Sequence, residues 1–153
     1  MRSGKPNGSR TRRENEGEGM LREIKTFFEN KDRLAKLLGF EIVEVGEGYA
    51  EVKVEIREDH LNGADVIHGG LLFSLADFAF AIASNSENEL SLSIHSDIVF
   101  HRAVSGGTVS AVAREIKGGR TIASYEAKVR DHRGELLATF TGTAFRKGTK
   151  LLG

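Results

Sequence analysis

Cysteine is absent from the 153 residues, so the chain has no disulfide framework, no thiolate nucleophile and no thiolate metal site. Proline occurs once and tryptophan not at all, whereas glycine occurs 18 times. Turns built on glycine rather than proline suit a sheet. Neither sign of charge is in excess: 22 basic side chains balance 22 acidic ones, which gives no reason to expect a nucleic-acid partner. No secretory segment is visible, and no apolar run reaches the roughly twenty residues that span a bilayer. The expectation is a soluble cytoplasmic protein without a membrane partner. A chain of this length holds one domain with a real core.

Residues 1–19 are polar, glycine-containing and charged in both signs. They carry no apolar period and read as a disordered extension. Arg10-Thr11-Arg12-Arg13 within them reads as solvated charge rather than a nucleic-acid arm. Met20 is the expected start of the folded unit, a single domain over 20–148, with 149–153 as a C-terminal tail. From Leu21, apolar residues recur at helical spacing (Ile24, Phe27, Phe28, Leu34, Leu37, Leu38), and Gly39 follows as a C-terminal cap. Phe40 to Val45 reads as a strand. After Gly46-Glu47-Gly48, strict alternation of Ala50, Val52, Val54 and Ile56 with charged residues marks a half-buried strand.

From Gly70 to Asn85 almost every residue is apolar, the pattern of a helix buried on all sides. Four alternating segments follow, at about Leu92–Phe100, Thr108–Lys117, Thr121–Arg130 and Leu136–Phe145. Gly118-Gly119 signals a two-residue hairpin between the second and third. Tight hairpins require antiparallel pairing. The fold expected is α+β: an antiparallel β-sheet wrapped around one long central helix, with an extra N-terminal helix.

One carboxylate, Asp77, interrupts the apolar helix. Three and four positions away stand Phe73, Ser74, Phe80 and Ala81, so its own helix offers it no cation. An ionised group there costs free energy unless something compensates. At the start of the same helix, Gly69 and Gly70 put unsatisfied N–H groups and the positive dipole end where a ligand oxygen can approach closely. Such an end stabilises a developing oxyanion, and a carboxylate supplies the complementary base or nucleophile. The two groups are eight residues apart, about 12 Å along one helix, too far to act on one carbonyl. A shared site therefore requires two chains with antiparallel helices, as in a two-fold dimer. Simpler readings stand beside this one. The glycine pair can be a tight turn, Asp77 a structural carboxylate, His68 a capping residue, and Asn62 and Asp65 ordinary loop residues.

These residues carry a resemblance. Leu61-Asn62-Gly63, His68-Gly69-Gly70, Phe73-Ser74-Leu75-Ala76-Asp77 and Ala83-Ser84-Asn85-Ser86 resemble the hotdog-fold acyl-CoA thioesterases of the phenylacetic acid degradation (PaaI) type. The order of elements is similar over about Leu34 to Arg146. The resemblance implies hydrolysis of an aryl- or medium-chain acyl-CoA to free acid and coenzyme A, without a metal or bound cofactor. It implies that Asp77 of one subunit is the nucleophile or general base and that the Gly69 amide of the other polarises the thioester carbonyl. Asn62 would position the carbonyl or the water, His68 would hold the loop, and Ser93 (failing that, Ser96) would assist the water. Gly70, Phe73, Ser74 and Phe78 are expected to contact substrate. Arg102, Lys117, Arg120 and Lys147 are candidates for the coenzyme phosphates. Ala103 stands where many members of that family carry proline after the arginine. The resemblance also implies a homodimer, with two dimers joining into a tetramer.

Two other chemistries fit less well. A metal site would have to use His60 with His68, or His95 with His101, and neither pair has close ligand spacing or a carboxylate cluster beside it. A hotdog dehydratase or hydratase would use His68 as its catalytic histidine, and a non-enzymatic acyl-CoA-binding module would keep the pocket without turnover.

Overall fold

The computed structural model describes residues 8–153. Helix α1 (Arg12–Lys31) starts nine residues before the apolar pattern does at Leu21. The reason is a capping box: the Thr11 hydroxyl accepts from the N–H of Glu14 at 3.3 Å, and the Glu14 carboxylate accepts from the N–H of Thr11 at 2.6 Å. Pairs between Arg10 and Glu18 and between Arg12 and Glu16 line the exposed first turns. The extension expected to be disordered through Gly19 is thus helical from Arg12, and residues 1–7 lie outside the described residues.

The helix expected to run unbroken to Leu38 divides at Asp32. That residue ends α1 and caps α2 (Arg33–Leu38), its carboxylate accepting from the N–H of Ala35 at 3.0 Å. Gly39 closes α2 in the left-handed region, φ 78°, where a side chain would be strained.

Strands β1 (Glu41–Gly46) and β2 (Tyr49–Glu55) form a hairpin. A 3-10 turn (Glu58–His60) and a short loop lead into α3 (Gly69–Asn85), and β3 (Glu89–Phe100), β4 (Thr108–Gly118), β5 (Ile122–Asp131) and β6 (Leu136–Lys150) complete a six-stranded antiparallel sheet ordered β1-β2-β4-β5-β6-β3. The sheet lies over α3, which buries Leu75, Ala76, Ala79 and Ile82 completely. Alanines at 50, 111, 113, 127 and 138 are fully buried on the strands, and their short side chains let the helix approach the sheet closely.

Two connections differ in detail from the sequence expectation. β3 and β4 are not a hairpin: residues 101–107 carry the chain across, and among the described residues β3 pairs only with β6, at an edge of the sheet. In the β4–β5 hairpin, Gly118 belongs to the strand and pairs with Ala123, while the N–H of Gly119 donates to the carbonyl of Ile122 at 2.8 Å. A Cβ on Gly119 would lie 2.8 Å from that carbonyl oxygen, so close backbone approach explains the glycine. The C-terminal tail is also anchored. The N–H groups of Leu151 and Leu152 donate to the backbone and side-chain carbonyls of Asn88 at 3.2 and 2.7 Å.

Candidate active site

The loop before α3 is built by its own side chains. The Asn62 carbonyl oxygen accepts from the N–H groups of Ala64 (2.9 Å) and Val66 (3.4 Å), and the N–H of Asn62 donates to the Val66 carbonyl at 2.8 Å. Asp65 takes a left-handed conformation, φ 59°, as a short polar residue tolerates. The side-chain NH2 of Asn62 has no hydrogen-bond partner among the described residues. It is a free donor on a rigid turn.

His68 caps α3, its Nδ1 accepting from the N–H of Gly70 at 2.8 Å. The capping role expected for His68 is therefore present, and it consumes the Gly70 amide. The Gly69 N–H remains at the positive end of a 17-residue helix. Sequence reasoning weighed His60 only as a metal ligand, not as the residue that steadies this cap. His60 is 2% exposed, its Nδ1 accepts from the N–H of Arg57 at 3.0 Å, and its Nε2–H donates to the Leu38 carbonyl at 2.9 Å. Its own carbonyl accepts from the N–H of His68 at 2.8 Å. Burial, then the Arg57 charge, pushes the His60 imidazolium below the usual histidine range, so the ring is neutral at neutral pH. Used up in these bonds, it is a structural histidine rather than a metal ligand.

Gly69 opens onto a groove of about 400 Å³ lined by Ile67, Leu72 and the β3–β4 loop from Phe100 to Val104. A Cβ on Gly69 would meet the Phe100 ring at 3.0 Å, so glycine keeps the amide open toward the groove. Arg102 lines this groove, and its guanidinium reaches Glu135 at 3.5 Å. Lys117 and Arg120 lie elsewhere. Their hairpin adjoins Glu115, whose N–H donates to Gly48, and the Gly48 N–H in turn donates to Ser86 at the C-terminal end of α3. Within one chain they are at the opposite end of the central helix from Gly69.

The face of α3 that the sheet leaves uncovered is a single stripe: Gly70, Phe73, Ser74, Asp77, Ala81 and Ser84, recurring every three or four residues. The polar side chains Ser74, Asp77 and Ser84 fall on this one stripe at helical spacing, a signal present in the sequence that the all-round apolar reading of the helix overlooked. Phe73 packs edge-on against Phe140, with ring centres 5.5 Å apart, and the Ser74 hydroxyl donates to the Gly70 carbonyl at 2.8 Å. Phe78 is turned away, against Phe28 of α1 and Phe40 in the link between α2 and β1. Asp77 is half-buried and has no hydrogen-bond or ionic partner among the described residues. Burial, then the charge of Asp32, holds its carboxyl above the usual aspartate range.

β3 runs antiparallel to α3. Asn85, at the end of the helix, bonds both backbone groups of Ser91, while Phe100 lies against Gly69. The irregularity between Ser93 and His95 brings Ser93 and Ser96 together, with their hydroxyls 3.0 Å apart. Ser96, just past the middle of the strand, is level with the middle of the helix, where Asp77 lies. Lys147, near the end of β6, is exposed. Among the described residues no group of three or more His, Cys, Asp or Glu side chains is arranged to hold a metal ion, and no helix is long and apolar enough to cross a membrane.

Residues 64–138 match the thioesterase superfamily. The chain is 40% identical over 128 residues to a putative esterase of Archaeoglobus fulgidus, covering 83% of each protein. It is 35% identical over 127 residues to the acyl-coenzyme A thioesterase PaaI of Escherichia coli, covering 82% of this chain and 90% of that one. The solved structure of the E. coli PaaI protein, from the phenylacetic acid degradation operon, superimposes with a TM-score of 0.82 at 32% identity and covers 88% of this chain and 97% of that one.

Proposed function

The chain belongs to the thioesterase superfamily, in its hotdog-fold PaaI branch, and on that premise we propose that it hydrolyses an aryl- or medium-chain acyl-CoA at two equivalent sites of a cytoplasmic homodimer. The observation that carries this reading is the unpartnered carboxylate of Asp77 in the uncovered stripe of α3. A charge placed there needs a second protomer to complete its surroundings. An antiparallel copy of the same stripe brings the N-terminal end of its helix, with Gly69, toward Asp77.

In this arrangement the thioester carbonyl oxygen accepts from the Gly69 N–H of one protomer, beside the free NH2 of Asn62. Asp77 of the other protomer takes a proton from water as the water oxygen bonds to the carbonyl carbon. The negative charge that forms on the carbonyl oxygen is met by the Gly69 N–H and the helix dipole. Collapse of the tetrahedral species breaks the C–S bond, and the thiolate leaves and takes the proton from Asp77. The hydroxyls of Ser96 and Ser93 can hold the attacking water at the level of Asp77. Because burial raises its proton affinity, Asp77 is a stronger base than an exposed aspartate would be. The pantetheine arm would lie in the groove beside Gly69, with Arg102 toward the phosphates. The uncovered faces of such a dimer also allow two dimers to join as a tetramer.

The deciding experiment mixes inactive variants. Asp77→Ala and Asn62→Ala protomers should each be inactive as homodimers, and on mixing should recover about a quarter of wild-type thiol release. Half of randomly mixed dimers are hybrids, and each hybrid holds one intact site of two. Well-mixed hybrids with no activity would rule out a shared site. Binding of acyl-CoA by the wild type without thiol release would favour a binding module, and hydration of an enoyl-CoA would favour the dehydratase reading.

A further inference from the structure

The loop that carries Asn62 and leads into Gly69 hangs between two buried residues. Residues 62–66 are exposed or half-buried, whereas His60 and Ile67 flank them at 2% and 5% exposure. Leu61 and Ile67 form an isolated antiparallel bridge that closes the loop at its base. The Ile67 N–H then donates to the Val104 carbonyl at 2.8 Å, which ties one side to the β3–β4 loop. The other side is tied to α2. The last two carbonyls of that helix, Leu37 and Leu38, accept from no backbone N–H among the described residues. The Arg57 guanidinium donates to Leu37 at 3.2 Å, and the Nε2–H of His60 donates to Leu38 at 2.9 Å. Side chains from the start of the loop thus satisfy the end of α2. Arg57 is exposed, so its bond competes with water, and the buried His60 bond carries the link.

We propose that His60 is a positioning residue for thioester hydrolysis: by holding the Leu38 carbonyl, it makes the end of α2 the fixed point from which the Gly69 amide is aimed. This inference rests on the reading above, in which that amide receives the thioester carbonyl oxygen. The path has three links, each a hydrogen bond. The His60 ring holds Leu38, the His60 carbonyl accepts from the His68 N–H at 2.8 Å, and the His68 Nδ1 accepts from the Gly70 N–H at 2.8 Å. Gly69 lies between the two residues of the last link, so its N–H has no freedom apart from theirs. An oxyanion donor acts in one direction, and a small misplacement of it costs rate rather than binding. The segment matched to the thioesterase superfamily, residues 64–138, contains neither His60 nor α2, so this anchor is built from residues outside it.

Two conservative variants of the full chain divide the bonds of the ring. His60→Gln can set an amide N–H where Nε2 lies and keep the Leu38 bond. His60→Asn can set an oxygen where Nδ1 lies and keep only the Arg57 bond. With phenylacetyl-CoA as probe, the glutamine variant should hold kcat within about threefold of wild type. The asparagine variant should lose about ten- to a hundredfold in kcat, with KM within about twofold. Ile24→Ala, in α1 and outside this path, measures the effect of lost stability alone and should keep kcat. Equal losses in the two His60 variants, or the same loss in Ile24→Ala, would reduce His60 to a role in stability and overturn the proposal. Hydrogen exchange needs no turnover. In His60→Asn the amides of residues 66–70 should exchange faster while those of β5 do not change. Unchanged exchange at 66–70 would overturn the link whatever the kinetics. Faster exchange with kcat intact would overturn the positioning role by removing Gly69 from the oxyanion site, a failure of the reading above that is distinguishable from loss of the link. Should His60→Asn not fold, Gly39→Ala disturbs the same link from the α2 side. Its backbone is left-handed, φ 78°, and a Cβ there would lie 3.2 Å from the Arg57 guanidinium. It is judged by the same kcat, KM and exchange.

Discussion

The N–H of His68 donates to the carbonyl of His60 over 2.8 Å, and this single bond ties the cap of the central helix to a buried imidazole. The imidazole in turn holds the Arg57 N–H and the Leu38 carbonyl. His60 therefore fixes the direction in which the chain enters α3, and with it the aim of the Gly69 amide.

Replacing His60 with leucine should cost about 1–3 kcal/mol, because two backbone groups lose their partner. The pH dependence of stability identifies the cause. The folded state favours the neutral ring, so its proton affinity is lower folded than unfolded. The stabilisation is complete above the ordinary histidine value near 6.5 and is lost as pH falls from there through the folded-state value. The charges that act on the ring are Arg57, which disfavours the imidazolium, and Asp59, which favours it. Urea melts of the wild type should weaken over that interval, and those of His60→Leu should be flatter. Parallel curves would assign the acid sensitivity to another group.

Asp77→Asn separates catalysis from stability. General-base catalysis contributes roughly 10²- to 10⁴-fold, and a loss of that size in kcat is expected. Stability should move the other way. The folded state raises the proton affinity of Asp77, so the wild type is destabilised as pH rises through the folded-state value and Asp77 ionises. Asparagine avoids that cost. The variant should melt higher than wild type at neutral pH, and the difference should vanish once pH falls below the ordinary aspartate value. In the wild type, single-turnover hydrolysis in ¹⁸O-water should label the released acid and leave Asp77 unlabelled. Label in Asp77 would make it the nucleophile.

The two ends of α3 give the cations distinct predictions. Arg102→Ala should raise KM for acyl-CoA about five- to tenfold with little change in kcat, since it acts on phosphates remote from the reacting carbon. The difference from wild type should shrink as salt rises toward 1 M, because an exposed guanidinium is screened. Arg120→Ala, at the other end of the helix in the same chain, should have a smaller effect. If Arg120→Ala raises KM more than Arg102→Ala does, the coenzyme lies along the hairpin rather than the groove.

Much of this molecule is legible in its sequence, for identifiable reasons. The period of two in β2, the apolar run of α3 and the glycine cap at residue 39 each reflect one local rule, and each element stands where that rule puts it. The early start of α1 depends on one threonine and one glutamate, a signal obscured by the surrounding charge. The break at Asp32 depends on a cap inside a continuous apolar pattern. The uncovered face of α3 carries the helix's polar side chains Ser74, Asp77 and Ser84 at helical spacing, a weak signal within a run dominated by apolar residues. The role of His60 and the packing of Phe78 against Phe28 and Phe40 depend on contacts between elements distant in sequence.

The edge position of β3 supplies the last prediction. Among the described residues the strand has one hydrogen-bonded neighbour, β6, although it is 12 residues long and exposes Leu92, Ile94, Val99 and Phe100 to between 50% and 59%. A long apolar edge invites a further strand unless charge or proline blocks it. Pairing two β3 edges across a two-fold axis would cover them and set the uncovered stripes of two α3 helices side by side. Ile94→Glu then places like charges near each other at the axis and should convert the protein to monomers in analytical ultracentrifugation. Thiol release should disappear with the dimer, since Asp77 and Gly69 are no longer brought together. Ile116 on β4 is as exposed, at 61%, but is remote from that edge. Ile116→Glu should leave both dimer and activity in place. An active monomer of Ile94→Glu would remove the need for a second chain and return Asp77 to the service of its own helix.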